Sequence, residues 1–192
     1  MNKDTAARYF RDPPEIVTSR LVLRRIKKTD YRAMYDYSCD EEVTRYLTWD
    51  PHPDANYTLR YIAYILPKYR SGEFHDWAVI WKENKKMIGT CGFTSFDYNH
   101  NSGEIGYVLN RDYWGRGIAK EAASAVLRVG FLDLNLHRIE AKFMQGNAQS
   151  LRVMEKCGMT FEGYRREAMY IKNRYETICI CSILASEYIA GV

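Results

Sequence analysis

Apolar and polar residues follow two distinct periods along this chain. Leu21 and Leu23 alternate with polar neighbours between Arg20 and Ile26, which predicts a first strand. Asp76 to Trp81 (DWAVIW) and Met87 to Phe96 (MIGTCGFTSF) read as two strands joined by the hairpin turn Glu83-Asn84-Lys85. The two glycines of the second strand predict bends or close backbone approach. Glu104 to Leu109 (EIGYVL) follows a polar turn at Tyr98 to Gly103. Arg138 to Met144 (RIEAKFM) then alternates cleanly, with Ile139, Ala141 and Phe143 on one face. Two last strands, about Thr160 to Tyr170 and Glu176 to Leu184, flank the turn Lys172-Asn173-Arg174.

The helical period fills the gaps. Thr29-Asp30 can cap a short helix running to about Ser38, and Asp40 can cap another over Glu41 to Leu47. Leu59, Ile62, Ala63 and Leu66 predict a longer helix from Asn56 to Arg70. Pro67 is expected to shorten or kink its end, and Ser71-Gly72 to stop it. Ile118, Ala122, Val126 and Leu127 form the apolar face of a further helix, broken at Asp133 to Leu136. Ser150 to Cys157 is a short one that Gly158 can end in the left-handed conformation. About seven strands and four or five helices result. Early strands are antiparallel, and a strand, helix, strand passage near the centre requires a parallel pair with a right-handed crossover. The expectation is an α+β layered domain with a mixed, mostly antiparallel sheet. Residues 1–15, closed by Pro13-Pro14, are expected to be a flexible lead-in, and residues 16–192 a single domain.

Composition narrows the function classes. At 192 residues and 46% hydrophobic, the chain can bury one substantial core. The net charge of +4 suits an anionic small ligand, and without a dense Lys/Arg block nothing demands nucleic acid. The first residues carry no apolar signal-peptide core, and the longest apolar run, Ile178 to Ala185, is far short of the ~20 residues that span a bilayer. Five cysteines without a CxxC motif read as reduced thiols, so a cytoplasmic setting without membrane attachment is expected. His52, His75, His100 and His137 lack ligand spacing, and no metal is expected. A monomer or a homodimer is expected.

The most informative stretch is Arg111 to Ala123, RDYWGRGIAKEAA. It reads as a strand end, a glycine-punctuated turn and the start of an amphipathic helix. Gly115 and Gly117 let the backbone approach a bulky ligand, and the amides opening a helix have no intrahelical partners. Such a turn favours phosphate. Arg111, Arg116 and Lys120 sit at the same place, where the helix dipole disfavours cations unless an anion joins them. A dinucleotide fingerprint fails because its third glycine position is Lys120, and a doubly wound sheet does not begin with antiparallel strands. There is no Gly-Lys-Ser/Thr and no G-x-S-x-G.

The same run resembles the coenzyme-A loop of the GNAT N-acetyltransferase superfamily, Q/R-x-x-G-x-G/A, with Trp114 standing where Gln or Arg is usual. Tyr113-Trp114-Gly115-Arg116-Gly117-Ile118-Ala119-Lys120-Glu121-Ala122 looks specifically like the RimJ/RimL branch, the ribosomal-protein N-terminal acetyltransferases. TSRLVLR at 18–24, GEIGYVL at 103–109, and Asn147-x-x-Ser150 with Glu155-Lys156-Cys157-Gly158-Met159 also match, so the resemblance covers roughly residues 16–188.

The resemblance implies the GNAT fold and acetyl transfer from acetyl-CoA to a primary amine, with no metal. The backbone of Gly115, Arg116, Gly117, Ile118, Ala119 and Lys120 would hold the pyrophosphate. Central parallel strands splay in this family, and a backbone NH among Tyr107, Val108 and Leu109 would bond the thioester oxygen. Asn147 would bond the pantetheine. The tyrosine that many relatives use as the acid is replaced by Met154, and Ser150 takes that role or is only a helix-cap residue. Glu104 is the candidate base, with Glu167 a weaker alternative, or a terminal amine needs no base at all. Tyr46, His75 and Trp77 would border the acceptor, beside a tyrosine-rich first third that includes Tyr57 and Tyr61. The acceptor is a protein N-terminus, or a small amine such as an amino acid, polyamine or antibiotic. Asp36, Asp40, Glu41, Glu42 and Asp50 keep the polyamine open. A non-catalytic CoA-binding module is the third reading.

Overall fold

The alternating stretches assemble into one eight-stranded sheet in the computed structural model, which describes residues 1–190. The domain end expected at residue 192 lies outside the described residues. In chain order the strands are β1 (Ile16–Val17), β2 (Leu21–Arg24), β3 (His75–Trp81), β4 (Met87–Asp97), β5 (Ser102–Leu109), β6 (Arg138–Met144), β7 (Thr160–Ile171) and β8 (Arg174–Leu184). They lie in the order β1-β2-β3-β4-β5-β6-β8-β7. Among the described residues the β5–β6 pair is parallel and the other neighbours are antiparallel. The strand beyond the seven expected is β1, two residues long and too short to show a period. Among the described residues seven α-helices accompany the sheet: α1 (Lys3–Arg11), α2 (Tyr31–Ser38), α3 (Glu41–Thr44), α4 (Ala55–Ser71), α5 (Ile118–Arg128), α6 (Ala148–Lys156) and α7 (Ala185–Ala190).

Strand β3 is buried on both faces and so reads as a nearly continuous apolar run. Trp77, Val79 and Trp81 join Cys91, Phe93 and Ile105 in a core closed by Phe10 of α1 and by Ile118, Ala122 and Val126 of α5. Ala78 and Ile80 face the other way, against Met34 and Tyr37 of α2 and Ile62, Ile65 and Tyr69 of α4. Burial on this scale contributes roughly 25 cal/mol per Å² of apolar surface.

Three local expectations are corrected. The lead-in is not loose: residues 3–11 form α1, whose Ala6 and Phe10 are fully buried. Asn2 caps it by accepting from the Thr5 amide, and Asp4 and Arg8/Arg11 complement the helix dipole. Phe10 sits with ring centroids 4.6 Å from His75, 5.4 Å from Trp77 and 5.8 Å from Phe96. Pro67 does not shorten α4, which continues to Ser71 and stops at Gly72 as expected. Fully buried Tyr69 anchors that last turn, its hydroxyl donating to the Asp76 carbonyl at 2.6 Å and accepting from the Ile26 amide at 3.2 Å. Left-handed Gly72 closes the helix, with φ +72°. The helix capped by Asp40 is a single turn, Glu41–Thr44, rather than running to Leu47.

The feature that positions the site is a fork. Strands β5 and β6 pair only from Ser102↔Arg138 to Ile105↔Ala141. Beyond that, Gly106 to Leu109 stays with β4 and Lys142 to Met144 with β8. A register shift in β4 between Phe93 and Ser95, opposite Ile105 and Glu104, falls where the fork opens. A bulge bends and twists its strand, which draws β5 away from β6.

Candidate active site

The loop leaving β5 crosses the open end of the fork. Asn110 accepts from the Asp112 amide at 2.9 Å and so caps a tight turn over Arg111–Tyr113. Trp114 Nε1 donates to the Leu109 carbonyl at 2.7 Å, which pins the loop to the strand that precedes it. Gly115 and Gly117 then take left-handed φ values of +71° and +72°, and Gly117 opens α5. A Cβ at Gly115 would meet no atom within 4 Å, and one at Gly117 only Arg20 Nη2 at 3.8 Å. Conformation rather than crowding within the protein therefore requires these glycines. Gly115, Gly117, Ile118, Ala119 and Lys120 line the fork, and the amides that open a helix have no intrahelical partner.

A second segment fixes this loop from behind. Glu121, in the first turn of α5, accepts from Thr18 Oγ1 (2.6 Å), Ser19 Oγ (2.9 Å), the Arg20 amide (2.9 Å) and Arg20 Nε (2.7 Å). The Arg20 guanidinium also donates to the Arg116 carbonyl at 2.9 Å. Burial raises the pKa of this carboxyl, but the four donors outweigh it and hold the group down to about 2. The Thr18-Ser19-Arg20 block thus serves the loop nearly a hundred residues later in the sequence, a link no local pattern discloses.

The cation cluster read from the sequence disperses. Arg111 Nε pairs with Asp40 at 3.0 Å, and the Arg116 guanidinium lies over the rings of Trp81 (5.1 Å) and Tyr113 (5.6 Å). Of the three residues, Lys120 alone lines the fork. Arg111 and Arg116 each found a partner presented by a different element, so their spacing in sequence misled.

The fork opens into a cleft of about 1240 Å³. Gly106, Tyr107, Val108, Leu109, Gly115, Gly117, Ile118, Ala119 and Lys120 form one wall, and Asn147 and Ser150 at the start of α6 form the other. Asn147 caps α6, its Oδ1 accepting from the Ser150 amide at 3.1 Å. Ser150 is 8% exposed, and its Oγ lies 2.9 Å from the Tyr107 hydroxyl, which also donates to the Ser150 carbonyl at 3.1 Å. Burial raises the Tyr107 phenol above its ordinary range, so it stays protonated around neutrality. The Tyr107 side chain was not foreseen; only its backbone was. Met154, at the position of the missing acid, is buried and touches the same cleft.

Glu104 also reaches the cleft, but Lys142 Nζ lies 2.7 Å from it and 3.0 Å from Glu140. Burial lowers the Lys142 pKa, and the bonds from the two carboxylates more than restore it. Glu167 is exposed on β7, outside the cleft, with its amide donating to Thr177 Oγ1 at 3.2 Å. Tyr46 lines the cleft and packs on Met144, Ile171 and Ile178.

His75 and Trp77 are misplaced by the sequence reading. Trp77 is fully buried and donates to the Pro14 carbonyl at 3.1 Å, and His75 packs edge-on against Phe10 with Nε2 3.1 Å from the Gly72 carbonyl. Neither lines the cleft. Residue Asp76 between them does, because successive side chains of a strand point to opposite faces. Its carboxyl forms no ion pair among the described residues, and burial pushes its pKa up to about 7. The acidic residues read as candidates are elsewhere engaged: Asp36 with Lys86 (2.8 Å), Asp40 with Arg111, Glu42 with Arg45 (3.7 Å). Glu41 and Asp50 are exposed.

A parallel fork carrying a left-handed glycine loop on its longer helix is shared by a known group of enzymes. A family model described as "Acetyltransferase (GNAT) domain" matches residues 20–160. The chain is a GNAT-family acetyltransferase. It is 35% identical over 173 residues to the uncharacterized N-acetyltransferase p20 of Bacillus licheniformis, covering 90% of this chain and 97% of that one. A [ribosomal protein uS5]-alanine N-acetyltransferase of Escherichia coli is 21% identical over 183 residues, covering 92% and 93%. A spermidine N-acetyltransferase from Vibrio cholerae, solved in complex with CoA and spermine, superposes with a TM-score of 0.74 at 23% identity, covering 90% and 99%. The GNAT fold and acetyl transfer are thereby established for this chain. Branch membership is not decided by these likenesses, since p20 is far nearer in sequence than the ribosomal-protein enzyme. Among the described residues no helix of this GNAT protein is long and apolar enough to cross a membrane, and no cluster of three metal-ligating side chains occurs.

Proposed function

We propose that this enzyme moves the acetyl group of acetyl-CoA to the N-terminal amine of a protein, in the manner of the RimJ/RimL branch. The observation that carries the acceptor is the charge balance of the cleft. Its walls hold the carboxylates Glu42, Asp76 and Glu104 against the cations Arg45, Lys120, Lys142, Arg152, Lys156 and Arg165. Glu42 and Glu104 each face a cation already. A polyamine would bring several ammonium groups to a cleft with one unpaired carboxylate, whereas a peptide terminus brings one.

On this reading the pyrophosphate lies on the amides of Gly115 to Lys120, with the Lys120 ammonium beside it. The pantetheine runs between the arms of the fork, where Gly106 to Leu109 lacks a β6 partner, and bonds to Asn147. A backbone NH among Tyr107 to Leu109 stabilises charge developing on the thioester oxygen. Ser150 Oγ gives the proton that the departing sulfur needs, and the Tyr107 hydroxyl holds Ser150 in place. Glu104 is less available to an acceptor than its sequence position suggests, because Lys142 Nζ already lies 2.7 Å from its carboxylate. Tyr46 belongs to the acceptor wall. The enzyme works in the cytoplasm as a monomer or homodimer.

The second reading, a polyamine or other small amine, is favoured by the likeness to the spermidine enzyme. Thiol release from acetyl-CoA decides between them, using N-terminal peptides beside spermidine and free amino acids. Turnover confined to peptides supports the proposal, and turnover confined to small amines refutes it.

A further inference from the structure

We propose that Asp76 is the acceptor's ammonium site in this enzyme: the cationic amine binds its carboxylate within an aromatic collar and yields to it the proton lost before attack. This rests on the reading above that the acceptor is an amine. Asp76 on β3 stands opposite Gly92 on β4, which stands opposite Gly106 on β5. Directly paired residues of antiparallel strands share a face, so the three form one row that ends at the fork. Strands lie ~4.8 Å apart, which puts the Asp76 backbone about 10 Å from Gly106. Gly92 leaves the space beside this carboxyl open: a Cβ there would meet the His75 carbonyl oxygen at 2.3 Å, Asp76 Cα at 2.4 Å and Asp76 Oδ1 at 2.5 Å. A Cβ at Gly106 would meet only Thr94 Cγ2 at 2.9 Å. Two consecutive glycines thus leave no side chain in the row between this carboxyl and the strand expected to hold the thioester.

Among the described residues no cation pairs with this carboxylate. Tyr37 of α2, Tyr61 and Tyr69 of α4, and Cys91 of β4 are the titratable groups that interact with Asp76, and His52 lines the same end of the cleft. Burial raises the phenols and the thiol and lowers His52, so all are neutral near pH 7. The Tyr69 hydroxyl donates to the backbone carbonyl of Asp76, not to its carboxylate. Asp76 is half-buried in the cleft wall; a carboxylate partly withdrawn from water without a cation is costly, and an incoming ammonium lowers that cost. Tyr37, Tyr61 and Phe74 line the same cleft, and an aromatic ring attracts a cation over its face. Glu104, with Lys142 upon it, offers an ammonium much less.

The balance closes. One ammonium proton moves to an Asp76 oxygen, and the freed lone pair bonds to the thioester carbon. The C–S bond breaks with its electron pair on sulfur, which is protonated through Ser150. The nitrogen gives up a second proton as the amide forms. That proton makes good the one supplied to sulfur, and Asp76 returns the first to solvent.

The full-length enzyme, acetyl-CoA and an alanine-led peptide amide test this. Asp76→Asn should lower kcat/KM for the peptide at least about 100-fold, with acetyl-CoA affinity within about twofold of the parent. In the parent, kcat/KM should rise with pH through about 7 as the carboxyl loses its proton, and the variant should lack that inflection. A variant within about threefold of the parent, or one that keeps the inflection, overturns the proposal. A second measurement leaves the chain unaltered. With CoA bound, the peptide carrying propionyl in place of its alanyl residue should bind at least about tenfold more weakly than the amine; equal affinity overturns the assignment even if Asp76→Asn fails to fold. A parent that acetylates no amine would instead refute the amine reading, and the binding comparison would still decide Asp76.

Discussion

Changing Glu121 to Gln isolates the clamp behind the phosphate loop. Gln keeps one carbonyl oxygen, which can still accept from Thr18, Ser19 and the Arg20 amide. Its NH₂ replaces Oε2 and sets a donor against Arg20 Nε, which is now 2.7 Å from an acceptor. A hydrogen bond to a charged group contributes about 1.5–3 kcal/mol. The Arg20 side chain is 41% exposed, so solvent screening places the loss at about 1–2 kcal/mol. For a chain of this size that lowers Tm by roughly 2–8 °C. The pH dependence is the sharper signature. Glu121 is held at about 2 in the folded protein against an ordinary 4.5. Its contribution is therefore complete above 4.5 and fades as pH falls toward 2. Thermal melts of parent and variant should differ at pH 7 and converge below pH 4. A difference under about 1 °C at pH 7, or one unchanged at pH 3, refutes the clamp. Because Arg20 also holds the Arg116 carbonyl, acetyl-CoA should bind the variant more weakly by calorimetry.

Further predictions concern the loop, the acid and the first helix. Gly117→Glu places an L-residue at φ +72°, straining the backbone by about 1–2 kcal/mol, and sets a carboxylate against the anion site. Acetyl-CoA binding should be abolished by calorimetry, and unchanged affinity sinks the phosphate-loop assignment. Ser150→Ala should lower kcat about 100-fold with little change in acetyl-CoA affinity, and Tyr107→Phe should fall between it and the parent. If Ser150→Ala turns over at the parental rate, Ser150 is a first-turn residue and nothing more. Phe10→Ala should destabilise the fold by about 3–5 kcal/mol in urea melts, since its ring is fully enclosed; a cost below about 1 kcal/mol would return residues 1–15 to a loose lead-in.

The sequence alone carried the elements and the glycine turn because both are local. Periodicity records which residues share a face, and the turn from Leu109 into α5 needs left-handed backbone at Gly115 and Gly117 whatever surrounds it. The thirteen consecutive residues from Arg111 to Ala123 therefore disclose the turn proposed to hold the anion. Whatever depends on two distant segments meeting was not legible. Alternation along β3 shows that Asp76 opposes His75 and Trp77, but not which parity faces the cleft; the packing of α1 on one side and α2 and α4 on the other decides it. Arg111 and Arg116 looked like free cations until Asp40 and Trp81 were brought to them. Nothing in the sequence singled out Glu121, and only the fold wraps the Thr18-Ser19-Arg20 block around it. Charge, in particular, is a property of neighbours: Glu104 and Asp76 are alike in sequence, and only the fold sets a lysine on one and leaves the other unpaired.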